Sequence, residues 1–586
     1  MNGSNGTGGA ARARRLVLKP LCLAALLLLF AAPAPAFDEP AVAGFSHEEA
    51  MRLGQRMYRE GILTSGEPMQ AVVMGDIPVD SRTFTCDDCH QRSGLGSEEG
   101  TVVTWPINGR YLSEPRRRSG AWRPPETEEE RLSGRKALPP QYRTEDVRPA
   151  YTDEALGLAI MAGVDPSGRS LDPVMPRYML DEKDMAVLVY YLRNLNAETS
   201  PGVDETTIRF ATVVAGDVPP DRRTAMLSAL QAHIDARNSQ SRHEERRSKW
   251  SPFYKTEMYQ AYRRLELDVW ELTGPEETWR TQLEAYYRAR PVFALLGGIS
   301  AGGWAPVHEF CEKNEIPALF PVTDLPVISG SDWFTLYFSK GLYQEGEAAA
   351  RYLYSRGIAS KGGTILQIYR KDARNSALAR GFEDAWAGFG MPEAISWAME
   401  EGEELRQEAL EGLVESHRPS AVLLWVNRED MAAPCRLAGA ASPPEMFFAS
   451  WSQMGEAAGA FPAEMLERTY FTYPYILPEE VGKRMDVVKA WLRARDIPPS
   501  DLEVQSKMYF LGWMLSGGIK MMRSDFYREH FLEGFDMMLD QDYAIAVYPR
   551  LSFGPGQRYA SKGCYIVQLT GGQDPKLIKK SGWIIY

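Results

Sequence analysis

Residues 84–94 read Phe-Thr-Cys-Asp-Asp-Cys-His-Gln-Arg-Ser-Gly, and five of them, Cys86 to His90, constrain the chain more than any other stretch. Two thiols three residues apart, followed at once by an imidazole, have the spacing for c-type haem attachment. Each thiol can add to one vinyl group, and the adjacent His then reaches the iron. The same pair could also be a disulfide or redox dithiol, or half of a zinc site. A zinc site needs a second pair at ligand spacing, and none of the seven His or the remaining Cys supplies one. The motif therefore predicts one covalent haem c on Cys86 and Cys89, with His90 as an axial ligand of the iron.

Such attachment follows export of an unfolded chain, and the N-terminus carries the matching address. Arg12, Arg14, Arg15 and Lys19 precede an apolar run from Leu21 to Ala32, and Ala34-Pro35-Ala36 follows it. This is the pattern of a secretory signal peptide over residues 1–36, cleaved before Phe37. An uncleaved anchor would need about 20 apolar residues, more than this run provides. The expectation is a periplasmic protein with no transmembrane segment after cleavage. With 586 residues the chain is long enough for two or three domains. Its net charge of -12 gives no overall basic surface for nucleic acid. Cys311, Cys435 and Cys564 are widely spaced and read as buried small hydrophobes, with one disulfide plus a free thiol as the other arrangement.

Downstream of the signal, residues 45–62 show helical periodicity, with Ser46 as N-cap and Met51, Leu53, Met57, Tyr58 and Ile62 roughly on one face. Thr152-Asp153-Glu154 begins a second capped helix. Asp181 to Leu195 reads as a third, carrying Met185, Leu188, Val189, Tyr191 and Leu192. Between them, residues 111–148 are rich in Arg, Glu and Pro without an apolar period and read as a charged surface insert. The segment resembles the class I mono-haem cytochromes c. In those, a small residue and an aromatic four positions later pack against the closing helix, as Gly54 and Tyr58 would. The loop from Trp105 to Arg110 matches the loop that covers a haem edge. Pro173-Val-Met175-Pro176 matches the loop that delivers a thioether to the iron. Met161 and Met185 lie at helix-interior positions suited to packing, so Met175 is the expected second axial ligand. The resemblance implies a small all-α cytochrome c domain over residues 37–196. A His/Met pair leaves no open coordination position and suits one-electron transfer to a periplasmic redox partner.

A short polar linker, residues 197–205, leads into alternating strands and helices from Thr207 onward, the pattern of parallel sheets covered by helices. Several motifs in order resemble the type I periplasmic solute-binding proteins of the branched-chain amino acid and amide group. They are Ala294-Leu-Leu-Gly297-Gly-Ile-Ser300, Ile316-Pro-Ala-Leu-Phe-Pro321-Val-Thr323, Gln344-Glu-Gly346, Ile365-Leu-Gln-Ile-Tyr369 with Asp372 and Gly381-Phe382, and Ala421-Val-Leu-Leu-Trp425. The likeness implies a two-lobed α/β domain over residues 206–586. It places Ser300, Val322 and Thr323 at a site for a small anionic or amino-acid-like ligand; Ser300 and Thr323 could equally cap helices. Two departures stand out. Gly216 to Asp221 replaces a Gly/Ser-rich loop, and Ala373-Arg374-Asn375 stands where the family places Tyr-Gly. Arg370 and Arg374 near the cleft would favour an acidic ligand, or face solvent.

The second domain carries no flavin, quinone, metal-cluster or Ser-His-Asp signature. The sequence therefore points to an electron carrier or binding protein ahead of an enzyme; an electron-transfer subunit of a periplasmic oxidoreductase is the enzymatic alternative. The main expectation is an exported c-type cytochrome fused to a solute-binding-like domain that binds a ligand or docks a partner. The other is a periplasmic solute receptor of an ABC-type uptake or sensing system with an accessory haem.

Overall fold

The computed structural model describes residues 42–99, 102–118, 146–250, 263–358, 363–400, 402–538, 543, 545–572 and 575–585. The expected signal peptide, and residues 119–145 of the expected insert, lie outside the described residues. The chain forms two compact units, one from residues up to 85 together with 151–194, the other from 86–150 together with 195 onward. The division falls inside the expected domain 37–196.

In the first unit, α1 (His47–Glu60) starts where Ser46 Oγ accepts the Glu49 N–H at 3.3 Å. The hairpin β1 (Gln70–Val73) and β2 (Ile77–Asp80) follows. The chain then passes through the second unit in α2 (Cys86–His90), α3 (Gly109–Ser113) and the ladder β3 (Arg116–Arg118) with β4 (Asp146–Arg148). It returns in α4 (Asp153–Ala162), capped by Thr152, then β5 (Arg177–Met179) and α5 (Glu182–Asn194). Helices α1 and α5 pack against each other through Leu53, Met57 and Tyr58 on one side and Val187, Leu188 and Tyr191 on the other, all buried. The unit is not all-α, as the sequence had suggested, because β1 pairs antiparallel with both β2 and β5. The hairpin turns at Met74 and Gly75, both with positive φ, of 55° and 94°. That backbone turns the chain back within three residues and lets Val73 face Ile77.

The second unit holds two parallel sheets. The first lobe contains β6 (Thr207–Ala215), α6 (Pro220–Trp250), β7 (Arg264–Leu272), α7 (Trp279–Ala289), β8 (Ala294–Leu296), β9 (Ile299–Ser300), α8 (Ala305–Lys313), β10 (Ala318–Leu319) and β11 (Thr335–Leu336). Its strand order is β9-β6-β8-β10-β11, with β7 also on β6, all parallel. The second lobe contains α9 (Gly341–Ser355), β12 (Ile365–Arg370), α10 (Ala373–Gly388), β13 (Ile395–Met399), α11 (Gln407–His417), β14 (Ala421–Trp425), β15 (Met446–Ser450) and β16 (Thr469–Tyr473). The chain then returns to the first lobe in α12 (Pro478–Arg493), α13 (Leu502–Met522) and α14 (Arg528–Asp536), and ends on the second sheet in β17 (Gly563–Leu569) and β18 (Leu577–Lys579). The order there is β13-β12-β14-β15-β16-β17-β18, parallel up to β16 and antiparallel beyond.

Every residue of β14 is buried, as its unbroken apolar run requires of a central strand covered on both faces. Helices α9 and α10 meet at two glycines: a Cβ at Gly346 would lie 2.0 Å from the Leu378 carbonyl oxygen, and one at Gly381 2.0 Å from that of Tyr343. Three segments, 337–340, 474–477 and 558–562, carry the chain between the lobes. Tyr337 and Tyr559 bridge two of them, with rings stacked 5.8 Å apart.

Candidate functional site

Helix α2 holds Cys86 and Cys89 one turn apart, both half-buried and not joined in a disulfide. His90 ends the helix, and its Nδ1 lies 3.1 Å from the Trp105 carbonyl oxygen. A carbonyl can only accept, so Nδ1 carries the proton and Nε2 keeps its lone pair, the tautomer an iron ligand needs. Burial lowers the imidazole pKa to about 4, which keeps the ring neutral near pH 7. The next residues make a tight turn: Gln91 is left-handed at φ 63°, and the Gly96 N–H donates to the His90 carbonyl at 2.9 Å. Two thiols on one helical turn beside a neutral, oriented imidazole fit a c-type haem. The loop expected to cover the haem edge also supplies the carbonyl that orients His90.

Met175 lies in the first unit, in the loop before β5. Asp172 accepts the Val174 N–H on its carboxylate at 3.0 Å and the Met175 N–H on its carbonyl at 3.1 Å. Arg177 clasps the same loop, donating to the Met175 carbonyl at 2.6 Å and the Leu171 carbonyl at 3.0 Å. Met175 is half-buried, whereas Met161 is 50% and Met179 60% exposed. Met161 is therefore not the packing residue its helical position suggested; Met185 is, with Sδ 3.6 Å from a Cβ built at Gly157.

In the two-lobed unit the expected ligand residues sit at the carboxyl ends of β9 and β10. Ser300 Oγ accepts the Gly302 N–H at 3.1 Å and donates to the Gly303 carbonyl at 2.9 Å. Thr323 Oγ1 accepts the Leu325 N–H at 3.0 Å, and the Val322 N–H donates to the Gly298 carbonyl at 2.8 Å. Both hydroxyls thus staple their own loops. Arg370 does not face solvent: its guanidinium pairs with buried Asp430 and donates to the Glu403 carbonyl at 2.9 Å. Arg374 pairs at 2.9 Å with Asp324, so the loop after β10 in one lobe meets α10 in the other.

Sequence reasoning missed what replaces the absent aromatic. Asn375, fully buried, donates to Asp372 at 2.6 Å and to the Asn427 side chain at 3.1 Å, and accepts from Gln453 at 2.9 Å. This amide network fills the ends of β12, β14 and β15. It missed Glu345 as well, a fully buried carboxylate on α9 that accepts from Thr472 at 2.8 Å. Burial, against hydrogen bonds from Ser452, Thr472 and Ser450, raises its pKa to about 7. Its Oε1 has no hydrogen-bond partner among the described residues. The available signal was Glu345 lying among the residues Leu342 to Leu353 that this helix buries.

No family model and no curated protein matches the sequence. Solved structures similar to this chain include an ABC transporter substrate-binding protein from Sphaerobacter thermophilus, 12% identical over 65% of this chain and 98% of that one, with a TM-score of 0.46. A branched chain amino acid ABC transporter from Thermus thermophilus with bound valine is 11% identical over 65% and 97%, with a TM-score of 0.43. A leucine binding protein from Thermotoga maritima is 14% identical over 64% and 98%, with a TM-score of 0.41. At these values the reading of the cleft rests on its own geometry. The strand orders and the three crossings define a two-lobed α/β protein.

Proposed function

We propose that this chain is an exported two-lobed solute-binding protein that carries one c-type haem. The observation that carries the haem half is the hydrogen bond from His90 Nδ1 to the Trp105 carbonyl, 3.1 Å long, which leaves Nε2 for iron beside Cys86 and Cys89. The two thiols hold the group, Trp105 orients the imidazole, and the clasped loop around Met175 offers a thioether as second ligand. When bound, the haem supplies a one-electron Fe(III)/Fe(II) couple for exchange with a periplasmic redox partner.

The solute half rests on the two-lobed architecture. Solved structures similar in fold are named for leucine, valine and fatty acid binding. With Arg370 and Arg374 already in ion pairs, an anionic solute finds less support than a small amino-acid-like solute. A periplasmic location agrees with the leader pattern, and no helix among the described residues is long and apolar enough to cross a membrane.

Native mass spectrometry of the exported protein, purified without added ligand, tests both halves. One haem mass that survives denaturing conditions is expected, and its absence overturns the haem assignment. A further small mass lost on denaturation supports a solute receptor. An empty cleft alongside covalent haem favours the electron carrier whose second half docks a partner.

A further inference from the structure

Within the second unit, the turn that follows His90 is fastened to α14 and to Trp333. Ser93 is fully buried; its N–H and hydroxyl donate to the two carboxylate oxygens of Glu533 on α14, at 2.7 and 2.6 Å. Glu533 is itself only 4% exposed, so this two-point clamp lies away from water, where hydrogen bonds to a carboxylate are strong. Asn196 donates to the Ser93 carbonyl at 3.0 Å, which secures the third polar group of that residue.

The neighbouring residue is held by a different device. Arg92 and Arg558 each place the guanidinium carbon 3.9 Å from the centroid of the Trp333 ring. Both guanidinium groups therefore lie within cation–π distance of one indole. Arg558 is buried, pairs with Asp536 at 2.8 Å, and belongs to the third crossing between lobes. Its carbonyl accepts the Tyr337 N–H of the first crossing at 2.8 Å. Its Nε and Nη1 have no hydrogen-bond partner among the described residues, so the ring and Asp536 orient it. Since the Gly96 N–H closes the turn back onto the His90 carbonyl at 2.9 Å, Arg92 and Ser93 cannot shift without moving the end of α2.

We propose that Glu533 and the Arg92–Trp333–Arg558 cluster are positioning groups for His90, joining the haem-bearing turn to the crossings on which the two lobes hinge. The hinge and the iron environment then bias one another, because any change in one is felt through a buried, hydrogen-bonded connection. The inference rests on the haem reading above.

The test uses the full-length haem-loaded protein and two readouts, the haem midpoint potential and amide hydrogen exchange at Ser93 and Tyr337 in the ferric and dithionite-reduced states. Wild type is expected to exchange the Tyr337 amide at different rates in the two states. Glu533→Gln keeps one acceptor but loses the second and the charge; it should reduce protection at Ser93, abolish that difference and shift the potential upward, since a negative charge near the turn is gone. Glu533→Asp keeps the charge but shortens the reach; it should also reduce the Ser93 protection and abolish the difference at Tyr337. Trp333→Leu should abolish the difference while retaining the Ser93 clamp. Equal Tyr337 exchange in both states of the wild type, or reduced Ser93 protection in Glu533→Gln without change in potential, would overturn the proposal. Protein purified without covalent haem would instead overturn the underlying assignment, and the inference with it.

Discussion

Gly54 on α1 crosses Tyr191 on α5 so closely that a Cβ at position 54 would lie 2.3 Å from the Tyr191 Cβ. Tyr58, one turn further on, sets its ring 5.6 Å from that of Tyr191. No side chain fits at position 54 without parting the helices. Gly54→Ala should cost about 1–3 kcal/mol by overpacking, despite the better helix propensity of Ala. Gly412→Ala, in α11 with open space around the added Cβ, should instead stabilise by about 0.5–1 kcal/mol. Denaturant unfolding of the two variants checks the pair; equal effects would remove the close crossing as the reason for the glycine.

That crossing was legible through the resemblance to class I cytochromes c, in which a small residue and an aromatic one helical turn later pack against the closing helix. The parallel strands of the two lobes were legible from the residues themselves, as short apolar runs between helical patterns. The hairpin of β1 and β2 was not. Its strands carry only four residues each, and β5, which completes the sheet, pairs Met179 with Gln70 across the whole haem motif. The amide network of Asn375 was hidden by distance too, since Asn427 lies 52 and Gln453 78 residues further along. The family resemblance showed that an expected aromatic is absent there. Only tertiary packing shows what stands in its place.

Met175 is the next position to probe. Its loop is held by Asp172 and Arg177 without help from the thioether, so Met175→Ala should leave the fold intact. The expected outcome is loss of the weak long-wavelength sulfur-to-iron band of the ferric protein and a lower midpoint potential, because a thioether favours Fe(II). An unchanged band would assign the sixth ligand to another side chain.

Glu345 should leave a mark on the pH dependence of stability. Its carboxyl rises from an ordinary 4.5 to about 7 in the folded state, chiefly by burial. Between those values the folded chain keeps a proton that the unfolded chain has lost, so stability falls as pH rises across this window and the penalty is complete above about 7. At about 1.4 kcal/mol per pKa unit, the loss is on the order of 3 kcal/mol. Glu345→Gln should flatten this slope and be more stable than wild type at pH 8. Unfolding curves at pH 4.5, 6 and 8 measure it; a variant with the wild-type slope would show that other groups carry the dependence.

The ion pair of Asp324 with Arg374 joins the lobes at 2.9 Å, but both side chains are nearly half exposed, at 48% and 45%. In such a setting solvent screens the charges, and the pair should contribute about 0.2–1 kcal/mol in a double-mutant cycle of Asp324→Ala and Arg374→Ala. The contribution should shrink between low and high salt, since an exposed pair feels the Debye atmosphere. A tie this weak biases the lobes toward each other without locking them. A coupling energy of several kcal/mol that ignores salt would contradict this, and would mean that the two side chains are enclosed when the lobes meet in solution.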